Sequence, residues 1–445
     1  MIRYVKIKNY KSLVNLDVDF MRTKTIPKKI ALIYGENGIG KTNFVNTFFT
    51  LNETMRTMSA SEMFKKTILD FGKHYSEDNK EFIKQIERQI RSNYKDLKTI
   101  IEECKTVDSD ENMVLEFGFK YDNKNGVYHI EMNNNEIVSE YLEFVLNKNV
   151  TTLFRLCKNE KIYLNNNIFL DDDYYKEFFD LIDKYWGLHS VFSIFSYEIE
   201  DKKKGYLDSK ISKSLFDAYF ALLSICTMVK ANGRHEFGVV GTKHRLISEF
   251  MDGSISVNKE KELDANEYIL NSIFTGLYSD IKKVFYKKNI DGKKISYKLY
   301  CYKKIYGKIL EVEFSRESNG TRKILELIPY LISACEGQTV IIDELDTGIH
   351  DLLVKNLIEG IYSYIKGQLI ITTHNTMLFD SLIPHRDIYV FNVNSNAEKK
   401  LIAITDFENK IQKNNSPRKQ YLNGIYGGVP MASDIDYDEI IDNLQ

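Results

Sequence analysis

The stretch "IALIYGENGIGKTNFVNTFF", Ile30 to Phe49, determines the fold class. Its apolar start predicts a buried strand, and the apolar residues after Lys41 recur at helical spacing. The glycine-rich turn between them fits the pattern G-x-x-x-x-G-K-[ST]. Glycines in such a turn allow backbone N–H groups to face an anion at the start of the following helix. The stretch therefore predicts a phosphate-binding loop in an α/β domain, rather than a surface glycine turn that happens to precede a lysine.

ATP is the expected ligand of this turn, which we call the glycine loop (residues 35–43). Lys41 would neutralise the β- and γ-phosphates, and the Thr42 hydroxyl would bind Mg²⁺. The residues expected to bind nucleotide are Gly35, Asn37, Gly38, Gly40, Lys41, Thr42 and Asn43.

A second buried strand carries two adjacent carboxylates at its end. In "TVIIDELD", Asp343 and Glu344 follow four strand-forming residues. Two such carboxylates are costly unless a cation or a water binds them. We expect Asp343 to hold Mg²⁺ and Glu344 to polarise the attacking water. The alternative is a solvated junction between strand and loop. His374 ends the next buried strand, "LIITTH", where it could meet the γ-phosphate or be merely structural.

A small polar loop, "ESNGT" at Glu317 to Thr321, opens into another amphipathic helix. In this order, the glycine loop, "ESNGT", "IIDE", the "LD" after it and the strand-end histidine resemble the ABC/SMC class of P-loop ATPases. The resemblance implies that Ser318 and Gly320 contact a γ-phosphate held by another subunit's glycine loop, and that Asp346 crosses the dimer interface. It implies ATP hydrolysis, with Glu344 and His374 as the catalytic residues. It also implies a homodimer or higher homo-oligomer with ATP sandwiched between subunits.

The N-terminus and the tail resemble particular groups of ATPases within this class. "IRYVKIKNYKSL" is similar to the start of OLD-like and RecF-like ATPases, in which a basic residue at the position of Lys11 approaches the nucleotide. "YLNGIYGGVP", Tyr421 to Pro430, resembles the end of ATPases from the PARIS, Septu and RloA/AbiL phage-defence systems. The class has a Q-loop glutamine; Gln85 and Gln89 lie in a predicted helix and do not identify it. Because the chain ends soon after the core, we expect any nuclease or toxin effector to be a separate polypeptide.

The predicted architecture is an ABC-type P-loop core with a mixed sheet and flanking helices, split by a large, mainly helical insertion. "TVIIDE", "QLIITTH" and "DIYVFNV" predict a largely parallel sheet with the strand before the glycine loop. "KSLFDAYFALLSICTMVK" is the clearest helix of the middle region. The expected segments are core residues 1–55, a helical insertion at 56–110, a β-meander at 111–165, a mainly helical arm at 166–290, core residues 291–405 and a tail at 406–445.

Composition limits the partners. The net charge of -2 excludes a global field that would attract nucleic acid, so any basic surface must be local. Ten lysines between Ile281 and Leu310, interleaved with tyrosines, predict either a nucleic-acid surface or a lysine-rich solvent face of a sheet. Strict alternation would place the two residue types on opposite faces. The five scattered cysteines, without a CxxC pair, exclude a disulfide frame or zinc site. We expect a cytoplasmic protein without a membrane span.

Three functions remain open at this level. The first is an ATP-hydrolysing sensor or regulatory subunit of a bacterial defence system that controls an effector. The second is a RecF/SMC-like, DNA-binding ATPase of repair or chromosome maintenance. The third is a slowly cycling, nucleotide-gated scaffold. The acidic tail segment "SDIDYDEIID" (residues 433–442) could imitate a metal cluster, but a solvated acidic tail is the favoured interpretation.

Overall fold

The computed structural model describes residues 1–62, 95–202, 204–231, 234–237, 249–394, 397–407, 416–430 and 441. Gln85, Gln89 and all of the acidic tail segment except residue 441 lie outside these residues. The strands are β1 Ile2–Tyr10, β2 Leu13–Asp19, β3 Ile30–Tyr34, β4 Met113–Tyr121, β5 Lys124–Met132, β6 Ile137–Leu146, β7 Asn149–Cys157, β8 Tyr163–Leu164, β9 Cys226–Ala231, β10 Arg234–Phe237, β11 Asp252–Ser256, β12 Ile281–Asp291, β13 Lys294–Ile305, β14 Lys308–Glu313, β15 Thr339–Ile342, β16 Gln368–Thr372, β17 Ile388–Val393 and β18 Lys399–Ala403.

The helices lie between and around these strands. They are α1 Lys41–Thr54, α2 Leu97–Cys104, α3 Asp172–Tyr185, α4 Val191–Lys202, α5 Lys204–Leu207, α6 Lys213–Leu223, α7 Glu260–Leu277, α8 Asn319–Cys335, α9 Asp351–Tyr362 and α10 Pro417–Leu422. None of the helices in the described ranges combines the length and the apolar character that a membrane crossing requires.

A central sheet positions the candidate site. Its order is β10-β9-β15-β16-β3-β17-β18, and the five strands from β9 to β17 are parallel. Residues of β3, β15 and β16 are buried throughout, as their continuous apolar runs predict for a sheet covered on both faces. The predicted α/β class with a largely parallel sheet is confirmed. Since parallel strands end at the same edge, the residues after β3, β15 and β16 meet there.

A second, antiparallel sheet joins the chain's first strands to the meander. Its order is β2-β1-β4-β5-β6-β7-β8. The stretches "IRYVKI" and "LDVD", in which polar and apolar residues alternate, lie in β1 and β2. Helix α1 packs between this sheet and the central sheet, and the ring centroids of Phe48 and Phe117 are 5.4 Å apart. The helix that begins at the glycine loop is therefore fixed by a core on both sides.

The middle region corrects one prediction. Helix α6 ends at Leu223, and the second half of "KSLFDAYFALLSICTMVK" is strand β9, which lies parallel to β15 with Cys226 opposite Val340. The prediction of one continuous helix is therefore wrong. A short apolar run suits a buried strand as well as a buried helix, and periodicity alone does not separate them. The segment boundaries stay a prediction.

A third sheet leads into the "ESNGT" loop. Strand β13 pairs with β12 on one side and with β11 and β14 on the other, all antiparallel, and helix α7 packs against β12. After β14 the chain forms a short 3₁₀ turn and reaches Ser318, which precedes α8. Helix α8 in turn packs against β15 of the central sheet.

Candidate nucleotide site

The glycine loop holds a buried lysine whose ammonium binds backbone carbonyl oxygens of the same loop. Gly38 and Gly40 have φ of 79° and 118°, a region that favours glycine, and Gly40 precedes the first residue of α1. Lys41 is 5 % exposed, and its Nζ donates to the carbonyl oxygens of Gly35 (2.7 Å) and Glu36 (2.9 Å). Burial lowers the pKa of Lys41, while Asp343 and Glu344 oppose that change. The loop therefore presents a partly desolvated cation at a helix N-terminus, which suits a phosphate.

One hydroxyl joins the two carboxylate residues at the end of β15. The buried Thr372 donates its hydroxyl to Oδ1 of Asp343 (2.6 Å) and accepts the backbone N–H of Glu344 (2.7 Å). Glu344 has a φ of 46°, which is rare for a residue with a side chain. Such backbone strain persists only where neighbouring contacts hold it, and it is found often at active sites. Thr372 is the contact that holds it here, and the motif analysis did not single it out.

Asp343 has the character of a cation ligand. Its carboxylate is 4 % exposed, and Oδ2 is buried without a hydrogen-bond partner in the described residues. Burial raises the pKa of Asp343, whereas the facing hydroxyls of Thr372 and Thr42 lower it. Within the described ranges no group of three or more His, Cys, Asp or Glu side chains could hold a metal ion. Mg²⁺ does not need such a group, because one or two carboxylates and substrate phosphates usually suffice. Asp343 and Thr42 thus fit Mg²⁺.

Asp346 and His374 meet beside the same sheet edge. The backbone N–H of His374 donates to the Asp346 carboxylate at 3.2 and 3.3 Å from its two oxygens. Desolvation and then the charge of Lys41 lower the pKa of the His374 ring, against the effect of nearby acids. This change favours the neutral ring, which can donate one hydrogen bond and accept another. Asp346, expected at a dimer interface, has its carboxylate bound within its own subunit.

The "ESNGT" loop is held open towards solvent. The Ser318 hydroxyl accepts from the Thr321 N–H at 3.2 Å and caps α8, while Ser318 itself is exposed. A Cβ on Gly320 would lie 2.6 Å from the carbonyl oxygen of Gly348, so only glycine allows this close approach. Among the described residues no hydrogen bond joins Ser318 or Gly320 to the glycine loop. The structure thus brings together Lys41, Asp343, Glu344, Asp346 and His374 but not the two residues of the second phosphate loop.

The remaining predicted residues occupy different surroundings. Lys11 has its Nζ 5.8 Å from the ring centroid of Tyr10, and no hydrogen bond or ion pair in the described part of the chain links it to the glycine loop. Asn37 is exposed in the loop. Asn43 donates its side-chain amide to the Ser12 hydroxyl at 2.8 Å. Ser12 follows Lys11 in the N-terminal motif, so that motif does reach the glycine loop, through the serine.

The tail motif packs behind the glycine loop. A Cβ on Gly428 would lie 3.3 Å from Cα of Gly35 and 2.6 Å from a methyl group of Val390. The Tyr421 ring lies 5.4 Å from that of Tyr34, between centroids, and its hydroxyl donates to the Gly428 carbonyl at 3.0 Å. The structure explains why the tail motif has a glycine at position 428. A residue with a side chain there could not lie so close to Gly35, the first residue of the glycine loop.

The lysine-rich stretch forms one mixed face of the third sheet. Tyr300 and Tyr302 point away from the core, on the same side as Lys298, whereas Tyr286 and Tyr297 are buried. The prediction that lysines and tyrosines separate onto opposite faces is wrong, since positions 298, 300 and 302 share the parity that defines a face. We call the outward residues the lysine–aromatic face: Lys283, Phe285, Lys287, Lys298, Tyr300, Tyr302 and Lys304.

The chain is similar to proteins of known family and of known structure. Residues 30–380 match the model of a family described as "AAA domain, putative AbiEii toxin, Type IV TA system". Three similar solved structures are the SMC head domain from Thermotoga maritima (11% identity, 91% of this chain and 98% of that chain, TM-score 0.37), an SmcHead bound to the C-winged helix domain of ScpA (12%, 90% and 96%, 0.44), and a Pyrococcus furiosus Smc head with an extended coiled coil bound to the C-terminal domain of ScpA (12%, 90% and 95%, 0.40). No curated protein matches the chain.

Proposed function

This chain belongs to the AAA-domain family whose model matches residues 30–380, and we propose that it is an ATP hydrolase that closes as a homodimer around ATP and controls a separate effector protein in bacterial defence. The P-loop ATPase class is confirmed at the level of the family. The hydrolysis mechanism, the dimer, the effector and the defence role are the proposal. The observation that carries it is the meeting of Lys41, Asp343 and Glu344 at one sheet edge, with the "ESNGT" loop exposed elsewhere.

The side chains at that edge would have separate roles in ATP binding and hydrolysis. Bound ATP supplies the bond to be broken, and Mg²⁺ supplies positive charge to its phosphates. Lys41 and the loop N–H groups would bind the phosphates, and Asp343 with Thr42 would hold the metal. Glu344 would orient the attacking water and accept its proton, with the backbone geometry that Thr372 fixes. His374, exposed at the edge, would donate a hydrogen bond to the γ-phosphate.

The exposed second loop supports a dimer. The Ser318 side chain and the N-terminus of α8 form a second anion-binding feature, and neither has a described contact with the glycine loop of the same chain. If two chains meet face to face, each Ser318 can reach the nucleotide on its partner, so each site is completed across the interface. ATP binding would then drive dimerisation, and hydrolysis would reverse it.

The family description supports a partner protein. It names a toxin of a toxin–antitoxin system, which is a two-component arrangement. An ATPase in such a system would convert its nucleotide state into the release or restraint of the other component. We therefore favour an effector-controlling ATPase over a slowly cycling scaffold, a choice supported by Glu344, the proposed base, whose backbone N–H shares the Thr372 hydroxyl with Asp343.

Two variants test the mechanism. Glu344→Gln should bind ATP and accumulate as an ATP-bound dimer in size-exclusion chromatography with light scattering, because its water is not activated. Ser318→Arg should bind ATP normally and neither dimerise nor hydrolyse it. A Glu344→Gln protein with wild-type turnover would disprove the proposed base, and a Ser318→Arg protein that fails to bind ATP would disprove the role across the interface.

The effector is tested with the same trapped protein. Glu344→Gln serves as bait in its native host, with Lys41→Ala as the matched bait that cannot hold ATP. A stoichiometric nuclease or toxin that depends on Lys41 supports effector control. Recovery of DNA without a protein partner contradicts it and favours a RecF-like clamp.

Nucleic-acid binding is a second candidate, supported by the lysine–aromatic face. The rings of Phe285 and Tyr302 are 4.8 Å apart between centroids, and Lys283 and Lys304 have no ion pair in the described part of the chain. However, Lys287 and Lys298 pair with Glu311 and Glu313 of β14, which reduces the positive charge. Stacking rings beside free lysines suit a single strand.

The test is binding of a fluorescent single-stranded oligonucleotide at several salt concentrations. Changing Lys283 and Lys304 to glutamate should weaken binding and reduce the salt dependence by about 1.4 in the log–log slope, because two phosphate contacts are lost. Affinity equal to that of the wild type would exclude this face.

A further inference from the structure

A second lysine lies against the glycine loop, far from Lys41 in the chain. Lys399 is the first residue of β18, at the edge of the central sheet. Its Nζ would lie 3.5 Å from a Cβ on Gly40, the residue that precedes α1. The same ammonium donates to the Ser12 hydroxyl at 2.7 Å. We infer that Lys399 is a nucleotide-binding residue, whose ammonium contacts phosphates that ATP and ADP share; this inference rests on the proposed function.

The surroundings of Lys399 lack the counter-ion that such a lysine needs. In the described ranges it has no ion pair with an acidic side chain, although it is only partly exposed. The adjacent Glu398 is engaged elsewhere, since its carboxylate accepts from the Asn394 amide at 2.6 Å and its N–H donates to the same side chain. Burial lowers the pKa of Lys399, as expected for a cation whose charge is not balanced. An anion at the loop would supply the missing charge.

Neighbouring groups point to the same ligand. Ser12 receives two hydrogen bonds, from Lys399 and from the Asn43 amide, so its own hydroxyl hydrogen can be donated outwards. These three polar side chains surround the N-terminus of α1, where unpaired backbone N–H groups favour an anion. Lys41 instead turns towards the carbonyls of Gly35 and Glu36 and the acids beyond them. The two lysines thus approach the loop with different partners, and Lys399 lies next to Gly40 rather than to Asp343.

The consequence can be measured by comparing the binding of ATP with that of ADP. A contact to the α- or β-phosphate stabilises ATP and ADP equally, whereas a contact to the γ-phosphate alone would stabilise only ATP. Charge-assisted hydrogen bonds of this kind correspond to about tenfold in affinity. We therefore expect Lys399→Met to weaken the binding of both ATP and ADP by about tenfold. Lys399→Arg should retain most of the affinity.

The experiment is isothermal titration of the full chain with ATP and with ADP, with Mg²⁺ present. Lys400→Met is the matched control, because Lys400 is the next residue of the same strand and is exposed. Wild-type binding that Lys41→Ala abolishes establishes the site independently of Lys399. Given that binding, equal tenfold losses in Lys399→Met support the inference. Affinities like those of Lys400→Met, or a loss for ATP alone, overturn it without affecting the proposed function, whereas absent wild-type binding would refute that function itself.

Discussion

Replacement of Thr372 by valine tests the arrangement of the candidate site most directly. Valine has nearly the same shape as threonine, so the core at this fully buried position keeps its packing. The hydroxyl alone is lost, and with it the hydrogen bonds to the Asp343 carboxylate (2.6 Å) and to the Glu344 N–H (2.7 Å). Asp343 would then have one oxygen newly unpaired beside Oδ2, which already lacks a partner in the described residues.

The magnitude follows from those two hydrogen bonds. A hydrogen bond to a charged group contributes roughly 1.5–3 kcal/mol and a neutral one roughly 0.5–1.5 kcal/mol. We therefore expect Thr372→Val to lower the free energy of unfolding by about 2–4 kcal/mol. The left-handed backbone at Glu344 also loses its restraint, so the carboxylate is no longer held in one position. A displaced base of this kind should reduce kcat by about 100-fold.

The pH dependence gives a second, independent measurement. The Thr372 hydroxyl lowers the pKa of Asp343, against the effect of burial, so its removal raises that pKa further. Since Mg²⁺ requires the carboxylate, the acid limb of Mg²⁺-dependent ATP binding should move to higher pH in Thr372→Val. Urea unfolding, turnover and binding against pH are compared with Thr372→Ser, which keeps the hydroxyl. A valine variant with wild-type stability and an unmoved acid limb, or a serine variant equally impaired, would refute the reasoning.

Three further predictions concern other parts of the molecule. Asp343→Asn should raise the stability of the nucleotide-free protein at pH 7, measured by urea unfolding, because it removes a buried charge. Gly428→Ala should weaken ATP binding several-fold and cost about 1–3 kcal/mol in unfolding free energy, because the added methyl group lies too close to Gly35 and the local φ is 68°. Lys303→Met should cost about 3–5 kcal/mol in unfolding free energy, because Glu317 is left buried without its ion pair at 2.7 Å, and should reduce turnover more than ATP affinity.

Each of these has a contrary outcome. For an acid whose pKa is raised on folding, the destabilisation is complete above that raised pKa and disappears as the pH falls towards the unfolded value. The advantage of Asp343→Asn should therefore shrink in acid, and a constant advantage would contradict its origin. Gly276→Ala is the control for Gly428→Ala, since a methyl group there meets nothing within 4 Å, and equal losses would exclude a local effect. Glu317 directly precedes Ser318, so wild-type turnover in Lys303→Met would show that the ion pair between Lys303 and Glu317 does not position Ser318.

The parts of the site that are local in sequence could be predicted from it. The glycine loop and the strand and helix on either side of it lie within twenty residues. Apolar spacing encodes the strand and the helix, and glycines at fixed positions encode the loop. The same holds for the strand ends at Asp343 and His374, because continuous apolar runs identify buried parallel strands. A short apolar run is compatible with either a buried strand or a buried helix, which is why the helix predicted over "ICTMVK" is wrong. The predicted separation of lysines and tyrosines on β13 is wrong because Tyr297 occupies an odd position, whereas Tyr300 and Tyr302 occupy even ones.

The class of fold, the phosphate loop and the order of the acidic and histidine positions thus follow from local sequence patterns. Which distant residues complete the loop depends on how the whole chain folds. Ser12 and Lys399 hydrogen-bond although 387 positions separate them, and Gly428 lies against Gly35. Thr372 joins Asp343 to Glu344 because β15 and β16 are neighbours in the sheet. Such contacts depend on the order of strands, which is set by the packing of whole elements. The local spacing of apolar residues does not specify the order of the strands.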